Sequence, residues 1–384
     1  MNRLYNQVFQ TLSAISLLGS LIFLPGCQKE TTAVADNATS LSKQQPYKDP
    51  RTLKDFVQVN LVANNGNYGA AHIDPHLMNA WGIAFSANGI AWVSSQEGHV
   101  SSVYDMDGNL IPARPEVAIP SPGSSMGGNP TGTVLNIDPN TTDFKLPDNT
   151  SARFMFAGAD GVISGWNGAA GNNALVIANN ASAASYTGLA MARASSGAYY
   201  LYAANFSQGK IDVWDKDFNS VQMSFTDPAL PSDYSPFNIQ NVGGMLYVMY
   251  AKLGADGDEV AKPGNGYVDI YDAMGTLINR FVSQGQLNAP WGVAWAPAGF
   301  FTDESGAAQA AVLVGNLGDG RINAYSTEGR FLGQLRSHGA PIVIEKLWGI
   351  SFPPATSTID PNRLYFAAGP NDEQDGLFGY ITKQ

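Results

Sequence analysis

The stretch NAPWGVAWAP, residues Asn288–Pro297, has two near copies elsewhere in the chain: NAWGIAFS from Asn79 and KLWGISFP from Lys346. In each, a Trp-Gly pair opens a short apolar run that stops at Ser, Ala or Pro. A phrase that returns after tens to hundreds of residues marks one structural unit used repeatedly. Aligned on this phrase, units open near Trp81, Thr131, Thr187, Phe237, Trp291 and Trp348, about 50 to 57 residues apart. That spacing lies in the range of propeller repeats.

Within a unit, apolar runs alternate with Gly, Asn and Asp turns. The third unit reads TGLAMAR, AYYLYAANF and GKIDVWDKDFNSVQMSF; the fourth and fifth repeat the grammar. This is strand-turn-strand logic. The last turn of a unit is DMDGN, DKDFN, DAMGT or STEGR, where Asp and Gly supply side-chain-to-backbone bonds and positive φ. Six such units predict an all-β, six-bladed β-propeller with blades near 81–119, 131–178, 187–226, 237–282, 291–336 and 348–382. The sixth unit runs out one strand short. The alternating segment FVQVNLVA, within 54–63, supplies the missing strand if the two ends of the domain pair and close the ring. The Trp-Gly strand is then the innermost of each blade, with Gly admitting close backbone approach and Trp packing between blades.

Composition agrees. Of 384 residues only 14% are charged, while Gly (41) and Pro (22) are plentiful. This suits many short strands joined by turns. The net charge of −11 and the scattered Lys and Arg argue against nucleic acid as a partner. One Cys excludes an intrachain disulfide and a Cys-based zinc site.

That Cys27 ends the run LLGSLIFLPGC, preceded by Arg3 and a mostly apolar stretch. The layout is that of a secretory signal, and it resembles a bacterial lipoprotein signal. The resemblance implies cleavage before Cys27, a diacylglycerol on its thiol, and, with Gln28 following, an outer-membrane or cell-surface location. Residues 1–26 are then a signal peptide. Residues 27–52 are too polar to bury a core and read as a disordered tether. The propeller occupies 53–384, and the membrane becomes a partner through the lipid.

The phrases IDPHLMNAWGIAFSANGIAWVSS, GQLNAPWGVAWAP, VLVGNLGDGRINAYS and LYFAAGPNDEQDGLFGYI together resemble a family of uncharacterised bacterial β-propeller proteins with NHL-like repeats. The resemblance covers most of the chain from Phe56 to Ile381. The family usually has Pro where this chain has Ala80, and often His near the place of Asp375. It implies a propeller and carries no activity.

In such a fold the beginnings of the inner strands share one face with the turns between second and third strands. That face is expected to gather Asn79, Asn238, Asn288 and Glu345 with Asp160, Asn205, Asn316, Asn371, Asp372 and Glu373. Convergent polar groups over a central opening make a ligand site, and Asp160, Asn205, Asn238, Asn316 and Asn371 are its candidates. The competing reading is that Asn and Asp are natural turn residues. The function expected is a binding or interaction module for a protein, glycan or small molecule, with no cofactor. The alternative is a metal-dependent hydrolase or lyase, lactonase-like, with a metal such as calcium held in the channel. No catalytic motif is evident: GSSMGG around Ser124 has a loop context unlike a nucleophile elbow. HIDPH places His72, Asp74 and His76 at alternate positions, a metal-binding pattern on a strand, but Pro75 argues for a turn.

Overall fold

The computed structural model describes residues 53–302 and 307–384; the expected signal segment, the tether and Cys27 lie outside the described residues. The expected propeller is present. Among the described residues, six four-stranded antiparallel units follow one another in chain order. Their innermost strands are Ala80–Phe85, Pro130–Leu135, Tyr186–Arg193, Tyr234–Val242, Pro290–Trp295 and Leu347–Ser351. Each packs against the innermost strands of its neighbours, and the sixth packs against the first.

Aligning the six inner strands exposes why the Trp-Gly phrase recurs. The position after the Trp is Gly82, Gly132, Gly188, Asn238, Gly292 and Gly349 in successive blades. A Cβ on Gly82 would lie 2.5 Å from the Thr131 carbonyl oxygen. On Gly132 it would lie 2.3 Å from the Leu189 amide nitrogen, and on Gly349 2.5 Å from the Trp81 carbonyl oxygen. Four blades thus meet the next one backbone to backbone, and Gly188 meets Asn238, whose side-chain oxygen and Cα lie 2.0 and 2.8 Å from a Cβ there; only Gly fits at all five. Blade four is the exception. Asn238 Nδ2 donates to the Trp291 carbonyl at 2.7 Å, and Gln240 Oε1 accepts from the Val293 amide at 2.7 Å. Two amide side chains bridge the join to blade five.

The position before the Gly is Trp81, Thr131, Thr187, Phe237, Trp291 and Trp348. The sequence places these tryptophans between blades; the structure brings them together instead. Trp81 and Trp348 stack with centroids 3.4 Å apart, and Trp291 meets both edge-on at 6.1 and 5.9 Å. Phe237 and Phe206 join them. Rings from blades one, three, four, five and six form one apolar cluster where the inner strands begin. Edge-on contacts suit the ring quadrupoles.

The turns between third and fourth strands use their acidic residue as expected. Asp105 Oδ1 accepts the amides of Asp107 and Asn109, and Asp215 and Asp272 do the same in their own turns. The Ser124 stretch, expected as a loop, pairs with Pro120–Ser121 as a short exposed hairpin over Ser124–Gly127. Backbone pairing is available there without any core to bury.

Closure follows the expected route. Phe56–Ala63 lies antiparallel to Leu377–Lys383, with Phe56 opposite Lys383 and Val62 opposite Phe378. It completes blade six, and His72–Ile73 adds a short parallel strand outside it. The join is pinned by a buried carboxylate. Asp375 Oδ1 accepts Asn64 Nδ2 and Asn65 Nδ2, both at 2.8 Å, and its Oδ2 accepts the Tyr68 hydroxyl at 2.6 Å. Burial works to raise the Asp375 pKa, but the bonds from Tyr68, Asn64, Asn371 and Asn65 outweigh it and hold the group below its usual 3.8.

Two outcomes follow for stability. Gly132→Ala is expected to destabilise the fold by about 1–3 kcal/mol, as overpacking does, whereas Gly123→Ala, with open space around it, leaves it unchanged; urea melts compare the two. Asp375→Ala leaves three donors without their acceptor and is expected to cost about 1–3 kcal/mol. Because the folded pKa of Asp375 is depressed, its contribution is complete above the unfolded value near 3.8 and is lost as pH falls through the lower folded value. The wild type should therefore lose its advantage over the variant in acid.

Candidate functional site

The aromatic cluster divides the propeller axis into two ends. At the end where inner strands begin, the residue two before each Trp of the repeated phrase is left-handed: Asn79 (φ 46°), Ala289 (φ 47°) and Lys346 (φ 50°). This turn carries the chain in from the preceding blade; Asn79 and Ala289 are buried there, and Lys346 is partly exposed. Lys346 Nζ lies 2.9 Å from Glu373 Oε1 and 3.6 Å from Asp372 Oδ1. Asn79 Nδ2 donates to Gln96 Oε1 at 2.9 Å and approaches Glu373 Oε2 at 3.3 Å, while Asn79 Oδ1 accepts the Trp348 indole N–H at 3.0 Å. The ion pair is thereby tied to the aromatic cluster.

Glu259 adds a third carboxyl. It belongs to the insertion between the second and third strands of blade four, and Leu253, at the base of that insertion, packs on the aromatic cluster. Burial pushes the Glu259 carboxyl up to about 7. The charge on Glu373 adds to the rise, and Lys346 opposes it. The arrangement is one cation and several carboxylates over an apolar floor, with one carboxyl able to exchange a proton near neutrality.

The candidates read from the sequence separate into two groups. Asn205 is fully buried: its Oδ1 accepts from Ser185 and Ser207, and its Nδ2 donates to Asp212. Asn316 is fully buried and bonds Asn288, Gln286 and Asp319. Asn238 bridges blades four and five. These three amides are committed to holding turns and strands, so they do not converge on a ligand. Asp160 is partly exposed, accepts long bonds from Asn129 and Val162, and has its pKa raised by burial. Asn371 is exposed beside Asp372 and Glu373, lining a broad depression of about 600 Å³ with Asn64, Met78 and Glu97. Of the five, only Asn371 adjoins the charged cluster.

Lys346 and Glu259 were not among the candidates. Lys346 is a cation at the position held by Asn79 and Ala289 in the matching phrases, which was a readable signal. Glu259 had none beyond lying in an insertion. The HIDPH residues diverge: Asp74 is buried and accepts the Tyr104 hydroxyl at 2.6 Å and the His76 amide at 3.0 Å, while the His76 ring turns out to Glu116 at 2.7 Å. The strand ends at Ile73, so the alternate spacing places nothing on a common face. Among the described residues, no group of three or more His, Cys, Asp or Glu is gathered as metal ligands.

No family model matches the chain. One uncharacterised protein of Acanthamoeba polyphaga mimivirus is 32% identical over 347 residues, covering 87% of this chain and 82% of its own. A second is 32% identical over 358 residues, covering 88% and 90%. The chain belongs to this family. Among solved structures, virginiamycin B lyase from Staphylococcus aureus has a TM-score of 0.47 at 14% identity, covering 86% of this chain and 99% of that one. A protein of unknown function from Bacteroides thetaiotaomicron has a TM-score of 0.50 at 11% identity, covering 85% and 76%. At these identities the likeness is one of fold, and function has to be argued from the site.

The Glu259 carboxyl gives a test of this geometry. Its folded pKa lies above the usual 4.5, so the stabilising contribution of the protonated form is complete below 4.5 and is lost as pH rises through about 7. Glu259→Gln should remove that part of the decline, flattening the melting temperature between pH 4.5 and 7. An unchanged slope would show that Glu259 is not the group titrating there.

Proposed function

We propose that this propeller is an exported binding module, held on a membrane through a lipidated Cys27, which takes a polar ligand on the face where its inner strands begin. One observation carries the reading. Lys346, Glu373 and Asn79 form a bonded, partly exposed set anchored on the Trp348 indole, so the charges are fixed in place before any ligand arrives. Pre-positioned groups bind without the full entropy of ordering long side chains. Asn371 and Asp372 extend the set along the same turn. Among the described residues no helix is long and apolar enough to cross a membrane, and a lipid supplies a surface attachment that needs none.

A second reading has a specific observation behind it. A carboxyl pushed up to about 7, as Glu259 is, suits general acid–base work near neutral pH. In that case the same face would host a hydrolase or lyase, with Glu259 exchanging the proton.

Three measurements separate these. Mass spectrometry of the mature N-terminus is expected to find an acylated Cys27; cleavage elsewhere removes the anchor. A soluble-glycan microarray probed with wild type and with Lys346→Ala is expected to give signals that the variant loses about tenfold or more, roughly 1.4 kcal/mol. Signals that survive the substitution, or none at all, sink the binding site at this face. Elemental analysis before and after chelation, with a stoichiometric metal lost in Glu373→Gln, would favour the enzyme.

A further inference from the structure

The other end of the axis carries different chemistry. Beyond the aromatic cluster the inner strands diverge around a cavity of about 320 Å³. Its walls come from the inner strands of five of the six blades, with Trp291 of the remaining blade also at its lining. Next to the glycine layer is a layer of branched side chains, in which Thr133 takes the place that Ile83, Leu189 and Ile350 hold in other blades. A layer of small residues follows, including Ala84, Ala190 and Ser351. Phe85, Leu135, Met191 and Phe352 stand at the outer end of the walls. Ile137 and the neighbouring inner-strand end Trp295 leave 46% of their surfaces in solvent.

Two features point to an occupant. None of the residues lining the cavity is charged, although the chain carries a net charge of −11. The second is an orphan. Thr133 is 7% exposed, and its hydroxyl is buried without a hydrogen-bond partner. Every other inner strand with a described residue at this layer has an aliphatic side chain, which would fill the space without the penalty of an unsatisfied hydroxyl. Facing the same cavity, Gln240 spends its Oε1 on Asn238 and Val293, and its Nε2 has no partner among the described residues. A hydroxyl and an amide N–H with unused bonding capacity, in an uncharged cup lined by both apolar and polar side chains, match a small neutral molecule that presents a hydrogen-bond acceptor. Pockets of this size with few polar groups are typical of small-ligand sites.

We infer that this cavity is a binding pocket for a neutral small molecule bearing a hydrogen-bond acceptor, to which the Thr133 hydroxyl and the Gln240 amide donate. The pocket is separate from the charged face: the stacked rings of Trp81 and Trp348 with Trp291 lie between them. It does not depend on the polar ligand proposed above.

The probe is 6-propionyl-2-(dimethylamino)naphthalene, a neutral two-ring ketone whose single carbonyl accepts hydrogen bonds and whose emission brightens and shifts to the blue out of water. Titration of the folded protein is expected to give saturable fluorescence with one site per chain. Ser351→Phe, which fills the layer of small residues, should abolish it. Thr133→Val should weaken it about threefold to tenfold, the range of one hydrogen bond, while raising the melting temperature of the free protein because the orphan hydroxyl is gone. Circular dichroism melts confirm that each variant is folded. Lys346→Ala should leave probe binding unchanged, so that failure of the charged-face reading and failure of this one are told apart. The inference is overturned by absence of saturation, by binding that survives Ser351→Phe, or by a Thr133→Val variant that binds as wild type. Each of those results would leave the cavity as solvent space.

Discussion

Everything in this molecule hangs on how closely six strands approach one axis. A strand edge carries unpaired N–H and C=O groups, and bringing six edges together needs a position in each with no side chain at all. Five glycines meet that need directly. The sixth position breaks the rule in a controlled way, because Asn238 substitutes amide bonds for backbone contact. The aromatic cluster and the two separate ends of the axis follow from that spacing.

The same constraint sorts the polar residues. An amide buried between the inner strands and their turns is out of reach of water, so bonds within the protein have to offset its burial. Asn205, Asn238 and Asn316 obey this, and their bonds fix turns. Only outside the ring, where the chain turns in from the preceding blade, do charges such as Lys346 and Glu373 stay partly wet. Polarity alone therefore does not mark function in this fold. What marks it is a polar atom whose bonding capacity exceeds what its surroundings consume.

The architecture was legible because it is periodic. The Trp-Gly phrase, the acidic turns and the missing strand of the sixth unit are each local, and their repetition fixes blade number and closure. What could not be read is what repetition hides. An Asn that holds a turn and an Asn that meets a ligand look alike in a string, since both follow from the same short side chain. The tryptophans were correctly placed on inner strands but wrongly aimed, because pleat alternation says which residues share a face and not that three of those faces meet across the axis. HIDPH was read as a turn because of Pro75, and the strand there does stop at Ile73. Glu259 lies in an insertion visible in the sequence, but with no counterpart in the other blades nothing marked that residue within it.

The stitch between Phe56–Ala63 and Leu377–Lys383 has a temporal meaning. On a ribosome the first of these segments emerges when its partner has not yet been made, and it must wait for more than three hundred residues of nascent chain. Blades one to five can build up by local hairpins during synthesis, but the circle is sealed only once Leu377–Lys383 has emerged. Until then an unmatched, alternating strand stands open at one margin, and it is this interval that most exposes the newborn chain to mispairing with its neighbours.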